Sequence, residues 1–206
     1  MPRLHLLLTA CLIGLFGCQT HNANYNSRLA HHSPSGFSNN YPGREPDMHD
    51  FFRWQWNRLL KPKPEHRADL VSWQAVNLNQ IHSTQGRSAT WLGHASVLIK
   101  SDGIHVLTDP IFFFFLSPVS WLGPKRIKPL PVDPANLPRI DAVVISHNHY
   151  DHLDLPSLKR LNSQAGGPPL FVVPLGNAEL LKRQGISNVK ALDWWQRIPV
   201  KDGLSV

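Results

Sequence analysis

From residue 88 onward, short apolar runs rich in β-branched residues alternate with turn residues, and later with segments of helical periodicity. Runs of this length predict strands rather than helices. The predicted strands cover Ala89–Trp91, Ser96–Lys100, Ile104–Thr108, Ile140–Ser146, Leu170–Val173, Val189–Leu192 and Ile198–Val200. Helices are expected between the later strands, over Leu155–Leu161 and Asn177–Gln184. Because strands that alternate with helices indicate α/β layering, we place an α/β domain over residues 86–206.

The chain before this domain has a different pattern. Aromatic and leucine side chains at mixed spacing over residues 51–61 predict a short helix, with a membrane-surface patch as the alternative interpretation. A second helix is expected near Asp69–Val76. Residues 19–50 are rich in Asn, Ser, His, Pro and Gly and predict a flexible tether. Residues 51–85 then form an N-terminal extension of the domain.

Residues 1–18 have the pattern of a bacterial lipoprotein signal peptide. Arg3 precedes the apolar stretch Leu4–Phe16, which is too short to span a bilayer comfortably. The four residues that end at Cys18 resemble a lipobox, in which the cysteine is lipidated and becomes the first mature residue. We therefore expect a lipid anchor at Cys18 in the bacterial cell envelope, with a plain cleaved signal or an uncleaved anchor as alternatives. Gln19, rather than Asp, after the cysteine favours the periplasmic face of the outer membrane.

The composition limits the remaining function classes. The chain has 206 residues, of which 42% are hydrophobic and 17% are charged, as in a globular domain. Its net charge is +7, but the positive side chains are scattered and form no stripe with interleaved aromatics, so no nucleic-acid partner is expected. The two cysteines are Cys11 and Cys18, and cleavage with lipidation would leave none for a disulfide.

Chemistry is concentrated in the segment His147-Asn148-His149-Tyr150-Asp151-His152, directly after a predicted buried strand. Imidazole nitrogens and carboxylate oxygens are the ligands that Zn²⁺ takes in proteins. Residues two apart in extended chain face the same way, so His147 and His149 can hold one ion. The chain then turns and offers Asp151 and His152 to a second ion. The segment therefore predicts a metal site at the end of a strand.

Further segments, in their order along the chain, resemble one branch of the metallo-β-lactamase superfamily, the N-acyl-phosphatidylethanolamine-hydrolysing phospholipase D family. The matching segments are Ser88–Ser96, Leu107–Phe112, Gly123–Arg126, Ile140–His152 and Leu192–Trp195. The resemblance covers about residues 86–200 and, with the lipobox, points to a bacterial member. It implies an αββα sandwich that holds two zinc ions at its sheet edges.

The resemblance also implies roles for the loop residues. His147 and His149 would bind the first zinc, and Asp151 and His152 the second, where they would also be catalytic. A metal-bridging hydroxide would be the nucleophile, since two cations lower the pKa of bound water and stabilise charge on the attacked phosphorus. The substrate would be a phosphodiester, such as a phospholipid of the N-acylphosphatidylethanolamine type.

Two residues outside the loop are candidates for the same site. Asp109 follows a predicted strand, and in the superfamily an Asp at this place orients a ligand histidine; capping a turn is the alternative. His94 lies in a loop next to a glycine, where it either faces the pocket or hydrogen-bonds the backbone.

The sequence departs from the family in its later ligands. The family supplies a third histidine, a bridging aspartate and a late histidine from its C-terminal half, whereas no histidine follows His152 here. We expect only the N-terminal half of the sandwich, and a chain that is inactive alone, because catalytic zinc commonly has three protein ligands. A lactonase or other small-molecule hydrolase on the same fold, and a non-catalytic lipoprotein remnant, are the alternative functions.

Overall fold

The computed structural model describes residues 21–41, 43, 47–61, 68–83, 86–113, 125–201 and 203–206. The chain divides into two compact units, residues 1–64 and 65–206. The predicted signal peptide and its Cys18 lie outside the described residues. None of the helices within the described ranges has the length and apolarity needed to cross a bilayer.

The first unit contains a small hairpin within the segment predicted as a tether. Strands β1 (His32–Ser33) and β2 (Gly36–Phe37) pair antiparallel. The Asn22 side chain donates hydrogen bonds to the carbonyls of Ser33 and Gly36 at 3.1 and 2.8 Å. These bonds tie Asn22 to both strands of the hairpin.

Helix α1 (Met48–Leu60) follows in the same unit and corresponds to the predicted aromatic helix. The Asp47 side chain caps it by accepting a hydrogen bond from the Asp50 backbone N–H at 2.8 Å. None of its residues is buried; Phe52 and Trp56, for example, are 56% and 64% exposed.

The second unit is built on a six-stranded mixed sheet. Its strands are β3 (Arg87–Gly93), β4 (Ser96–Ser101), β5 (Ile104–Thr108), β6 (Ala142–Val144), β7 (Leu170–Pro174) and β8 (Val189–Leu192). They lie side by side in chain order. The first three strands are antiparallel neighbours, whereas β5 to β8 are parallel. A separate hairpin joins β9 (Pro199–Lys201) and β10 (Leu204–Ser205).

Helices make the crossovers that parallel strands require. The α-helices of this unit are α2 (Leu78–His82), α3 (Leu155–Asn162) and α4 (Ala178–Arg183), with 3₁₀ turns at Ala68–Leu70 and Pro134–Asn136. Helix α3 connects β6 to β7, and α4 connects β7 to β8. Asp154 is the N-cap of α3 and accepts hydrogen bonds from the backbone N–H and the hydroxyl of Ser157.

The core lies between one face of this sheet and the helices. Side chains that are at most 5% exposed meet there: Ile81, Leu98, Leu107, Val143, Leu158, Leu161, Phe171, Val173 and Leu181. Burying each large apolar side chain stabilises the fold by about 1.5–3 kcal/mol. Toward β3 the opposite face is open to solvent, since Trp91 and Ile99 are 60% and 39% exposed.

The α/β class predicted from the alternating pattern is confirmed by this sheet and its crossover helices. The helix expected near Asp69–Val76 is wrong. Those residues contain the end of a 3₁₀ turn and then neither helix nor strand, and the Val76 N–H donates to the carbonyl of Pro131 at 2.8 Å. Ile81 is 2% exposed within the core, so the end of the predicted N-terminal extension packs with the domain.

Candidate metal site

The sheet topology brings the polar loops together at one edge. Strands β5 and β6 are parallel, so their carboxyl ends, followed by Asp109 and by residues 145–152, lie at the same edge. Strand β4 runs the opposite way, so the β3–β4 turn with His94 lies at that edge as well. The histidine segment, Asp109 and His94 therefore meet although they are far apart in the chain.

Asp109 is fixed at this edge by its backbone and by its burial. Its φ of 38° lies in the left-handed region, its N–H donates to the Val144 carbonyl at 2.9 Å, and its carbonyl accepts from the Ser96 hydroxyl at 2.8 Å. The residue is only 6% exposed. One carboxylate oxygen accepts from the Ser146 N–H and the other from the Ser146 hydroxyl, both at 2.7 Å. The carboxylate is therefore held next to the histidine loop, residues 147–152.

His152 is held by the same carboxylate. Its Nδ1 lies 2.9 Å from Oδ2 of Asp109, so Nδ1 carries the proton and donates it. This tautomer leaves the lone pair on Nε2, which lies 3.6 Å from Oδ2 of Asp151. A hydrogen bond of this kind fixes the ring orientation and the basicity of a metal-ligating histidine.

His147 and His149 present their nitrogens to a common point. Nε2 of His147 lies 3.1 Å from Nδ1 of His149. On the other side of its ring, Nδ1 of His147 lies 2.9 Å from the Ser146 hydroxyl, which itself bonds Asp109. The rings of His147 and His152 have centroids 4.0 Å apart, so all three imidazoles crowd the same spot.

His94 completes the cluster from the β3–β4 turn. Its φ is 51°, and its carbonyl accepts a hydrogen bond from Nε1 of Trp91 at 2.8 Å. Its Nε2 lies 2.9 Å from Oδ2 of Asp151. The ligand atoms of His94, Asp151 and His152 all lie within 4.8 Å of one another, a spacing at which one ion could contact all three.

The part of the chain that forms this edge matches a known protein family. Residues 105–206, which include Asp109 and the whole histidine segment, match the family described as "Beta-lactamase superfamily domain". Residues 105–206 are part of a metallo-β-lactamase superfamily domain.

Curated relatives match parts of this chain. The N-acyl-phosphatidylethanolamine-hydrolyzing phospholipase D 1 of Caenorhabditis elegans is 38% identical over 138 residues, which are 64% of this chain and 38% of that protein. A protein named UPF0173 metal-dependent hydrolase from Aeropyrum pernix is 33% identical over 101 residues, 48% of this chain and 36% of that protein. This chain therefore spans less than two fifths of the length of either relative.

A solved structure with a similar partial fold is the isothiocyanate hydrolase from Delia radicum gut bacteria. It is 25% identical, with a TM-score of 0.42, and the match covers 57% of this chain and 45% of that one.

The electrostatics of the candidate site favour a neutral His147 beside an ionised Asp151. Burial, followed by the positive charges of His152 and His149, lowers the pKa of His147. Burial raises the pKa of Asp151, but hydrogen bonds from its own backbone and from His94, with the charge of His152, outweigh burial and lower it. Neutral imidazole and ionised carboxylate are the forms that bind metal ions.

The donor set at this edge fits a bound metal ion. Two nitrogens on a tetrahedral zinc, each about 2.0–2.1 Å from the ion, are about 3.3 Å apart. The 3.1 Å separation between His147 and His149 is close to that value. The mixture of imidazole and carboxylate suits zinc and other first-row ions.

The residues predicted for the metal site meet at this edge: His94, Asp109, His147, His149, Asp151 and His152. Their ligand roles stay predictions. The sequence pattern does not predict a role for Ser146 beyond the end of the buried strand, whereas its hydroxyl joins Asp109 to His147. The signal available in the sequence was a hydroxyl residue between an apolar run and the first histidine of the metallo-β-lactamase motif.

Proposed function

We propose that this chain carries the metal-ligating part of a zinc-dependent phosphodiesterase that acts on phospholipids of the N-acylphosphatidylethanolamine type. The observation that carries the proposal is the geometry of one sheet edge. Three histidines and Asp151 present ligand atoms there, while Asp109 fixes the proton of His152.

The relatives support a hydrolase of this class. One is named an N-acyl-phosphatidylethanolamine-hydrolyzing phospholipase D and another a metal-dependent hydrolase. The family match, over residues 105–206, contains Asp109 and the histidine segment. An anchor at Cys18 in the cell envelope, proposed from the lipobox, would hold such an enzyme at its lipid substrate.

The residues of this chain would act by orientation. His147 through Nε2 and His149 through Nδ1 would hold one ion, and Asp151 with His152 through Nε2 the other. Bound zinc supplies Lewis acidity that stabilises negative charge on the attacked phosphoryl oxygens. Asp109 and Ser146 keep the ring protons of His152 and His147 on Nδ1, away from the metal side. His94 holds the Asp151 carboxylate in place with a hydrogen bond from its ring.

The first test is zinc binding by the full 206-residue chain. We expect chelator competition to show that His147→Ala and His149→Ala each weaken zinc affinity at least tenfold, since each removes one nitrogen ligand. His21→Gln, at an exposed histidine outside the cluster, is the matched control and should leave affinity unchanged. Equal zinc affinity in all four proteins would contradict the ligand assignment.

The second test is hydrolysis by the zinc-loaded chain. N-acylphosphatidylethanolamine, a simple aryl phosphodiester and a lactone are offered in parallel. Cleavage of the phosphodiesters that is lost in His149→Ala supports the proposal, whereas cleavage of the lactone alone replaces it with a lactonase. Zinc binding without cleavage of any of the three substrates favours a non-catalytic remnant.

A further inference from the structure

The chain leaves β5 through a strained segment, Asp109-Pro110-Ile111-Phe112, which carries the buried Asp109 carboxylate. Asp109 has a φ of 38°, in the left-handed region that residues other than glycine seldom adopt. The proline that follows restricts its backbone further. A conformation of this kind persists only where the surrounding structure holds it from more than one side. Contacts from outside the segment must therefore keep it in place.

Ser96, at the start of β4, holds the first part of the segment. The residue is fully buried, at 0% exposed. Its hydroxyl donates to the Asp109 carbonyl at 2.8 Å and accepts from the Ile111 N–H at 3.1 Å. The two bonds lie on either side of Pro110, so a single hydroxyl fixes the path of the chain around the proline.

Ser157, in the first turn of α3, holds the last residue of the segment. It is also 0% exposed, and its hydroxyl accepts from the Phe112 N–H at 2.8 Å. The same hydroxyl donates to the carboxylate of Asp154, which also accepts from the Ser157 N–H at 3.0 Å. Because the hydroxyl proton points to Asp154, the lone pairs of the oxygen are left for Phe112. Asp154 lies two residues after His152, so the far end of the segment is tied to the end of the histidine loop.

Both serines reach the metal site through Asp109, whose Oδ2 lies 2.9 Å from Nδ1 of His152. Removing either hydroxyl takes the acceptor from a backbone N–H, that of Ile111 or that of Phe112. A buried N–H without an acceptor is costly, so the segment would shift toward another one. Such a shift would move the Asp109 carboxylate away from His152.

We propose that Ser96 and Ser157 are positioning residues of the metal site: their hydroxyls hold the segment 109–112 at both ends and so keep the Asp109 carboxylate on Nδ1 of His152. The inference rests on the proposed function, because His152 is one of its proposed metal ligands. It gives a role in ligand orientation to two buried serines that lie outside the histidine loop.

The test observes the ring of His152 in the metal-free full chain by long-range ¹H–¹⁵N NMR. A chelator is present and the pH is about 8, above the range in which histidine ordinarily titrates. We expect mainly the Nδ1–H tautomer in the unchanged chain, with the signals of His152 assigned by their loss in His152→Gln. Ser96→Ala and Ser157→Ala should each lower the Nδ1–H fraction at least twofold, because the carboxylate no longer accepts that proton. In zinc titrations of the same two variants, affinity should fall about tenfold.

Leu161→Ala is the matched control for lost stability. Leu161 lies on α3 and is 5% exposed, so its truncation leaves a cavity but keeps both hydroxyls. The His152 tautomer of this variant should match that of the unchanged chain. Ser157→Thr keeps the hydroxyl and should preserve the Nδ1–H fraction. Ser163→Ala, at the exposed C-terminal end of α3, should change nothing.

An unchanged tautomer in both serine variants, or the same loss in Leu161→Ala, would overturn the proposal. Each serine is replaced in a variant of its own, so one that fails to fold leaves the other to decide. The NMR measurement contains no metal, so a chain that binds no zinc refutes the proposed function while the tautomer still decides this inference. An unchanged tautomer in a chain that binds zinc refutes this inference alone.

Discussion

At the scale of single residues, one buried carboxylate organises the candidate site. Asp109 bonds His152 directly and reaches His147 through the Ser146 hydroxyl, so it sets the tautomer of two proposed ligands. A side chain that is 6% exposed and held by its backbone on both sides has little freedom to misplace those rings. The conformation of the histidine loop, residues 147–152, therefore depends on Asp109, which lies outside the loop.

This dependence can be measured. Asp109→Asn should weaken zinc binding about 10–100-fold, because the amide can donate to Nδ1 and so favours the wrong tautomer of His152. Ser146→Ala should have a smaller effect in the same direction, through His147 alone. Asp102→Asn, in the exposed β4–β5 turn, is the matched control. If zinc titrations gave one affinity for all three variants, the orienting role of Asp109 would be refuted.

At the scale of elements, the β3–β4 turn lies between the candidate metal site and a cavity lined by residues 71–74 and 125–131. Gly93 has a φ of 105°, which L side chains rarely adopt, and a Cβ there would lie 2.6 Å from Nη1 of Arg126. The glycine therefore permits both the turn that carries His94 and the close approach of the guanidinium. The geometry of this turn affects the cavity and the metal site together.

Two glycine variants separate the strain of a side chain at positive φ from the displacement of Arg126. Gly93→Ala and Gly167→Ala both place a side chain at positive φ and should each lower the free energy of unfolding by about 1–3 kcal/mol. A Cβ on Gly167 meets no atom within 4 Å, so only Gly93→Ala should displace Arg126, disturb the turn that carries His94 and weaken zinc binding. Chemical denaturation and calorimetry on both variants check this. Identical zinc affinity in the two would show that the turn carrying His94 does not depend on Gly93.

At the scale of the whole molecule, the stability of the domain should depend on a buried histidine. His105 is 8% exposed, and its Nε2 has no partner among the described residues. Burial lowers the pKa of His105, and the charges of Lys100 and His82 lower it further, against the raising effects of Asp141 and a backbone hydrogen bond with Ile81. The folded state therefore binds a proton at His105 less readily than the unfolded state does.

The sign of the pH effect follows from this difference. Above the ordinary pKa of 6.5, His105 is neutral in both states; below it the unfolded state takes up the proton first, so stability is lost as pH falls. Between about pH 7 and pH 5, the free energy of unfolding should fall less steeply in His105→Leu than in the unchanged chain. His21→Gln, at an exposed position, should keep the original slope. Equal slopes in all three proteins, from denaturant titrations at each pH, would exclude His105 as the source.

The sequence by itself determined the features that depend on local pattern. Alternating apolar runs and turn residues located β3 to β8 and helices α3 and α4 because side-chain periodicity reports which face of a segment is buried. The spacing from His147 to His152 predicted a metal site because ligands so close in the chain share one loop. The helix predicted near Asp69–Val76 was wrong, and the Val76 N–H instead donates to Pro131, far along the chain, a contact that local periodicity does not report.

Only the tertiary structure decided which distant residues meet. The pairing of β4 with β5 and of β5 with β6 puts the turn of His94, the end of β5 and the histidine loop at one edge, and no local pattern encodes that neighbourhood. The bonds of Asp109 to His152 and of His94 to Asp151 result from it. The cavity likewise exists only because residues 71–74 and 125–131 pack beside β3. Strand order and packing, which depend on contacts across the whole domain, turn a predicted ligand motif into a site with a second compartment.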